Sequence, residues 1–137
     1  MPIKLYTPNR YHYQTILDGL ASKGIRRVKL DFGAITNDAH IAISSGQDKT
    51  SPKWEIVIGA KGSTQTVIKA CPDCSASARI NHSKDDYRFW SSKGVYLSID
   101  NGRLSLSDSR GREIIQVSDA RLRRGKMKFL QVLTNLF

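Results

Sequence analysis

The stretch that decides the fold is a predicted β-hairpin, Tyr96-Leu97-Ser98-Ile99-Asp100-Asn101-Gly102-Arg103-Leu104-Ser105-Leu106. Apolar and polar residues alternate with a period of two on both sides of its centre, which is typical of strands that bury one face. The dipeptide Asn101-Gly102 supplies the positive φ values that a tight turn needs. We therefore expect two antiparallel strands here, and Asp108-Ser109-Arg110-Gly111 predicts the turn of a second hairpin directly after them.

The same alternation recurs along most of the chain and predicts further strands at 27–32, 38–43, 54–58, 64–70, 87–90, 113–117 and 128–134. Many short strands with polar turns, and no helices between them to connect a parallel sheet, indicate an all-β fold. We predict an antiparallel β-sandwich of the jelly-roll type. Near the start, apolar residues at 13, 16, 17 and 20 have helical spacing, and Gly24 stands where a helix would stop. A short N-terminal helix and an irregular edge strand both remain open there.

Length and composition predict one domain. A chain of 137 residues, 39% of them hydrophobic, is expected to fold as a single unit over residues 1–137 and to bury roughly two thirds of its unfolded surface. Its apolar runs are far shorter than the roughly 18 residues of a membrane-spanning helix. The polar start, Met1-Pro2-Ile3-Lys4, does not resemble a secretory signal. We expect a soluble protein, either cytoplasmic or the mature form of a secreted one.

The formal net charge of +10 is concentrated towards the two ends of the chain. The C-terminal part of this charge is a basic patch formed by Arg121, Arg123, Arg124, Lys126 and Lys128. A solvated face is the favoured interpretation, and adhesion to sulfated glycans or anionic lipid is the alternative. Nucleic acid is not indicated as a partner, because no helix-turn-helix, zinc-finger or RNA-binding pattern is present.

The sequence offers little catalytic chemistry. Cys71-Pro72-Asp73-Cys74 has the spacing of a zinc or dithiol motif, but a structural zinc site needs four ligands and no second pair exists. The two cysteines are predicted to be loop residues, either free or joined in a small disulfide. No nucleophile motif, phosphate loop or metal-binding pattern is present, so we predict no catalytic residues, no metal and no bound cofactor.

Two residues stand out as candidate ligand contacts. His40 lies on the polar face of its predicted strand, where Glu55 is a candidate to hold the ring in one tautomer. A hydrogen-bonded structural histidine is the favoured interpretation, and ligand binding is the alternative. Trp90 is predicted to be either a core residue or an exposed stacking platform.

Four blocks together resemble one known family. They are Asp38-Ala39-His40-Ile41-Ala42-Ile43, Trp54-Glu55-Ile56-Val57-Ile58-Gly59, Thr64-Gln65-Thr66-Val67-Ile68-Lys69 and Tyr87-Arg88-Phe89-Trp90. In this order they are similar to the farnesoic acid O-methyltransferase-like domain of invertebrates, over about residues 32–134. The chain departs from the family pattern at Ala60-Lys61, Ser63, Lys69 and Thr134-Asn135. The resemblance implies an accessory module of larger extracellular proteins, while the family name implies a methyltransferase that uses S-adenosylmethionine and a farnesoate-like acid.

We predict a non-catalytic binding module, because the chain lacks the Gly-rich turn and partner acid of a usual nucleoside pocket. By analogy with other compact β-sandwiches, the expected partner is a glycan or another small polar ligand, which makes the domain lectin-like. The alternatives are the methyltransferase and the cationic adhesion domain. Free edge strands are compatible with a homo-oligomer. The candidate ligand-binding residues are Asp38, His40, Glu55, Lys61, Arg88 and Trp90.

Overall fold

The computed structural model describes residues 2–4, 12–19, 26–31, 38–46, 51–71, 73–100, 102–122 and 128–134. The strands are β1 (Pro2–Lys4), β2 (His12–Asp18), β3 (Arg27–Asp31), β4 (Ala39–Ser44), β5 (Lys53–Gly59), β6 (Gln65–Cys71), β7 (Ser75–Asn81), β8 (Val95–Asp100), β9 (Arg103–Asp108), β10 (Glu113–Ser118) and β11 (Phe129–Thr134). The helices are α1 (Ala60–Ser63), a single distorted turn, and α2 (Lys84–Lys93), and a 3-10 turn spans Ala120–Leu122. None of the helices in these ranges is long and apolar enough to cross a membrane.

These strands form two sheets. One sheet has five strands in the order β1-β3-β8-β9-β10, and the other has six in the order β2-β11-β4-β5-β6-β7. Neighbouring strands pair antiparallel throughout, except that β1 runs parallel to β3. The prediction of an all-β antiparallel sandwich is therefore confirmed.

The core lies between the two sheets. Alternate residues of β4 and β5, such as Ile41 and Ile56, contribute one side of it and are almost completely buried. Leu30, Leu97 and Leu106 contribute from the five-stranded sheet. Because side chains alternate between the two faces of a strand, the intervening residues of β4 and β5 lie on the outer face of the six-stranded sheet.

Both predicted hairpins are confirmed. Strands β8 and β9 pair up to Asp100 and Arg103, and Gly102 in the turn between them has a φ of 92°. In the second hairpin, which joins β9 to β10, the Asp108 carboxylate accepts hydrogen bonds from the backbone N–H groups of Arg110 and Arg112, each at 2.9 Å. Asp108 therefore holds this turn in one shape.

The predicted strand at 87–90 is wrong, because these residues belong to α2. The Ser83 side chain accepts from the backbone N–H of Asp86, and the Asp86 carboxylate accepts from the backbone N–H of Ser83, so a capping box begins the helix. Tyr87 and Trp90 lie three residues apart on its buried face. The four residues Tyr87-Arg88-Phe89-Trp90 also fit a strand that has Tyr87 and Phe89 on one face, so a run this short does not distinguish the two structures.

Near the N-terminus the sequence left a short helix and an edge strand open. The structure has the edge strand, so the helix alternative is wrong. Strand β2 lies at the edge of the six-stranded sheet and pairs with β11. The register shifts so that Leu130 pairs with Leu17 but Gln131 pairs with Thr15, which leaves Ile16 as an extra residue. Such a bulge breaks the period of two and explains the helix-like spacing. Leu20 and Gly24 lie outside the described residues.

The two cysteines form a disulfide in the turn between β6 and β7. Cys71 and Cys74 have Cα atoms 4.0 Å apart, and their sulfur atoms are bonded. Of the two states that the sequence left open, the structure therefore has the disulfide.

Candidate functional site

Three of the predicted ligand-binding residues meet on the outer face of the six-stranded sheet. His40 lies on β4, Glu55 lies on β5, and Asp38 directly precedes β4. The strand register places Lys69 of β6 directly opposite Glu55. We call Asp38, His40, Glu55 and Lys69 the outer-face cluster.

The His40 ring lies between two carboxylates. Its Nε2 atom is 3.2 Å from Asp38 Oδ2, within hydrogen-bond distance, and its Nδ1 atom is 4.0 Å from Glu55 Oε2. Because an ionised carboxylate only accepts hydrogen bonds, the Nε2–H group of His40 donates and Asp38 Oδ2 accepts. Nδ1 is buried and has no hydrogen-bond partner in the described part of the chain. A polar ligand can supply that partner.

The two carboxylates have different electrostatic environments. The hydrogen bond with His40 holds the pKa of Asp38 below its ordinary value, against the opposing effect of partial burial. Burial raises the pKa of Glu55, although the positive charge of Lys69 acts against this. The side chains of His40 and Glu55 are only 18% and 13% exposed. A ligand at this cluster would therefore make hydrogen bonds in a partly water-excluded environment, where they are stronger than in bulk water.

The cluster suits recognition of hydroxyl groups. It offers carboxylate acceptors, the Lys69 ammonium as a donor, and the unpartnered ring nitrogen of His40. Val57 and Val67 follow His40 in the same cross-strand row, but both are buried, at 3% and 4% exposure. Within the described ranges, no group of three or more His, Cys, Asp or Glu side chains is arranged to hold a metal ion.

The other predicted ligand residues lie elsewhere. Lys61 is exposed in α1, between β5 and β6, with a left-handed φ of 51°. Arg88 lies on the exposed face of α2 and makes an ion pair with Asp85 at 3.1 Å. Trp90 is only 7% exposed, packs in the core and contacts the His82 ring edge-on. The structure thus places Trp90 in the core, which was one of its two predicted roles.

The structure describes two of the five residues of the predicted basic patch. Arg123, Arg124 and Lys126 lie outside the described residues. Arg121 belongs to the 3-10 turn Ala120–Leu122, and Lys128 is exposed just before β11. The adhesive role of this patch stays a prediction.

Lys69 is the member of the cluster that the sequence analysis did not select as a ligand contact. A signal was present, because Lys69 interrupts the apolar residues of the predicted strand at 64–70. Only the register between β5 and β6 shows that it faces Glu55.

Tyr87, in α2, gives a pH-dependent prediction. It is 4% exposed, and burial, with a smaller contribution from Asp38, raises its pKa to about 12 from the model-compound value of 10.0. The buried, protonated Tyr87 side chain makes its full contribution to the free energy of unfolding below pH 10. As the pH rises from 10 to 12, the unfolded state loses the phenol proton first, so the free energy of unfolding should fall by about 2–3 kcal/mol. Urea denaturation across this range tests the result, and the Tyr87→Phe variant should lose this part of the pH dependence. An equal fall in the free energy of unfolding of the wild type and of Tyr87→Phe would contradict this prediction.

Comparison with solved structures places this architecture among jelly-roll β-sandwiches. Sheep galectin-11, solved in complex with glycerol, matches with a TM-score of 0.52 at 12% sequence identity, over 93% of this chain and 92% of the galectin. A prokaryotic β-1,3-1,4-glucanase (lichenase) derived from a mouse hindgut metagenome matches with a TM-score of 0.48 at 10% identity, over 90% of this chain and 56% of the enzyme. The likeness to the galectin defines the class of this fold as a jelly-roll sandwich, as the sequence predicted.

The family follows from the sequence comparison. The model of the farnesoic acid O-methyltransferase family matches residues 8–120. The chain belongs to this family, and the resemblance drawn from its four blocks is confirmed. A search of curated proteins finds no match.

Proposed function

We propose that this chain is a carbohydrate-binding module whose site is the outer-face cluster. The observation that carries the proposal is the His40 Nδ1 atom, which is buried and unpartnered in the described part of the chain, beside the Glu55 carboxylate. Buried polar atoms nearly always have a hydrogen-bond partner, so such an exception calls for an explanation. A ligand hydroxyl can donate to Nδ1.

A saccharide satisfies this arrangement better than a ligand with a single polar group. Neighbouring sugar hydroxyls can donate to Nδ1 and to the Glu55 carboxylate while one of them accepts from the Lys69 ammonium. The jelly-roll fold, shared with a galectin, supports this proposal by analogy at the level of the fold.

The test is a glycan array with the labelled protein, followed by calorimetry on the best neutral ligand. We expect His40→Ala and Glu55→Gln each to weaken binding by about tenfold or more, because each change removes a partly buried hydrogen-bonding group. Asp100→Asn is the matched control, since Asp100 is an exposed carboxylate at the end of β8. This control should bind like the wild type, and thermal unfolding should show that all three variants fold.

Two outcomes would overturn the proposal. One is no binding to any glycan on the array, and the other is unchanged affinity in the His40→Ala variant. A saturable calorimetric response to S-adenosylmethionine, without glycan binding, would instead favour the methyltransferase alternative suggested by the family name.

A further inference from the structure

A separate cleft lies where three elements meet beside the edge strands β7 and β10. It has a volume of about 380 Å³ and is bounded by the end of β7, by α2 and by the hairpin between β9 and β10. None of its lining residues belongs to the outer-face cluster. The residues that line it include Asn81, Asp86, Phe89, Arg110, Arg112 and Ile114.

The acidic side chains of this cleft already have partners. Asp108 accepts two backbone hydrogen bonds and pairs with Arg112 Nε at 3.3 Å. Glu113 pairs with Arg103, and the Asp86 carboxylate accepts from the backbone N–H of Ser83. The acids of the cleft are therefore engaged by protein groups.

Arg110 is the contrasting case. Among the described residues its guanidinium makes no ion pair, and it lies over the Phe89 ring with its central carbon 5.0 Å from the ring centroid. Asp108 holds the backbone of Arg110 in the turn, and the cation–π contact with Phe89 favours one placement of its exposed side chain. Its N–H donors form a rigid planar fork that matches the two oxygens of a carboxylate. Of the two arginines in the lining, Arg110 is therefore the one whose guanidinium has no ion-pair partner among the described residues, although the lining also holds three carboxylates.

The other residues of the lining favour a sugar acid over a fatty acid as the ligand. Seven of the eleven lining residues are polar or charged. A hydrocarbon chain would desolvate these groups without replacing their hydrogen bonds, at a substantial cost. The four apolar residues of the lining, Ile80, Phe89, Trp90 and Ile114, can contact the C–H face of a sugar ring.

We propose that this cleft binds a saccharide unit that carries a carboxylate, with the carboxylate held by Arg110. This proposal rests on the proposed function in one respect, that the ligand is a saccharide. It adds a second class of ligand, sugar acids, which would bind at a different place in the fold. The two sites share no residue, so either can fail without the other.

The test is calorimetric or NMR titration of the full chain with glucuronate. Glucose is the neutral counterpart, and hexanoate is the acid without hydroxyl groups. We expect glucuronate to bind at least about tenfold more tightly than either, and Arg110→Gln to remove this difference. Arg110→Lys keeps the charge but loses the planar fork, so it should restore only part of the affinity.

Arg27→Gln is the matched control. Arg27 also stacks on an aromatic ring, Tyr96, at 3.9 Å, but it lies on the five-stranded sheet outside the cleft. This variant should bind glucuronate as the wild type does. Loss of glucuronate binding in His40→Ala would place the acid at the outer-face cluster and overturn the assignment.

Three further results would also overturn the proposal. They are equal binding of glucose and glucuronate, unchanged glucuronate binding in Arg110→Gln, and tighter binding of hexanoate than of glucuronate. Tighter binding of glucose 6-sulfate would reject the carboxylate as the preferred anion. Failure of the neutral glycan at the outer-face cluster, with the Arg110 effect intact, would reject the proposed function and leave the cleft assignment standing.

Discussion

Replacing Trp90 with alanine is expected to lower the free energy of unfolding by about 3–5 kcal/mol. The indole is 7% exposed and packs in the core cluster between the sheets and α2. Alanine would leave a cavity there, and its slightly higher helix propensity is too small to compensate. Because the net stability of a domain is about 5–15 kcal/mol, this loss is a large share of the total. Urea denaturation at neutral pH measures it.

The matched control is Arg88→Ala, two residues earlier on the exposed face of α2. It removes only the exposed ion pair with Asp85, so the free energy of unfolding should change by about 0.5 kcal/mol or less. The folded fraction of Trp90→Ala should keep its affinity for the neutral glycan at the outer-face cluster, because the indole packs in the core and lines only the separate cleft. A stable Trp90→Ala protein with weakened binding would instead support the stacking platform that the sequence left open.

Gly59→Ala is expected to cost about 3 kcal/mol of stability, from two separate causes. Gly59 ends β5 with a φ of +81°, a conformation that L side chains rarely adopt. An added Cβ would also lie 2.6 Å from Cζ of the Tyr87 ring, which is buried and cannot move away freely. Thermal and urea unfolding should both show the loss.

Gly111→Ala separates the two causes. Gly111 has a similar φ of +83°, but nothing lies within 4 Å of its added Cβ. This control should therefore lose only the backbone contribution, about 1–2 kcal/mol. Equal losses in the two variants would show that the Tyr87 ring does not press on Gly59.

Part of the candidate site was predictable from local patterns. The alternation in residues 38–43 and 54–58 places His40 and Glu55 on polar faces of predicted strands, and the register confirms that the two residues lie on adjoining strands. Their proximity to Lys69 depends on pairing between β5 and β6, which a period of two does not specify. The ligand role of these residues remains a proposal.

Arg88 and Trp90 show where local patterns are insufficient. Four residues satisfy both strand and helix periodicity, and here the Ser83 and Asp86 capping box favours the helix. The helix buries Trp90 and exposes Arg88, so the two candidates do not share a surface with His40. A Ser followed three residues later by Asp was the available signal for this helix.

The sequence by itself determined the all-β class, both hairpins and the family, because strand alternation and Asn-Gly turns act over a few residues. Only the tertiary structure decided which distant residues meet. The outer-face cluster combines residues from three segments, and the cleft combines the end of β7, α2 and the hairpin around Arg110. The physical reason is that strand order and sheet packing follow from burying all the apolar faces together, a global condition that no single segment encodes.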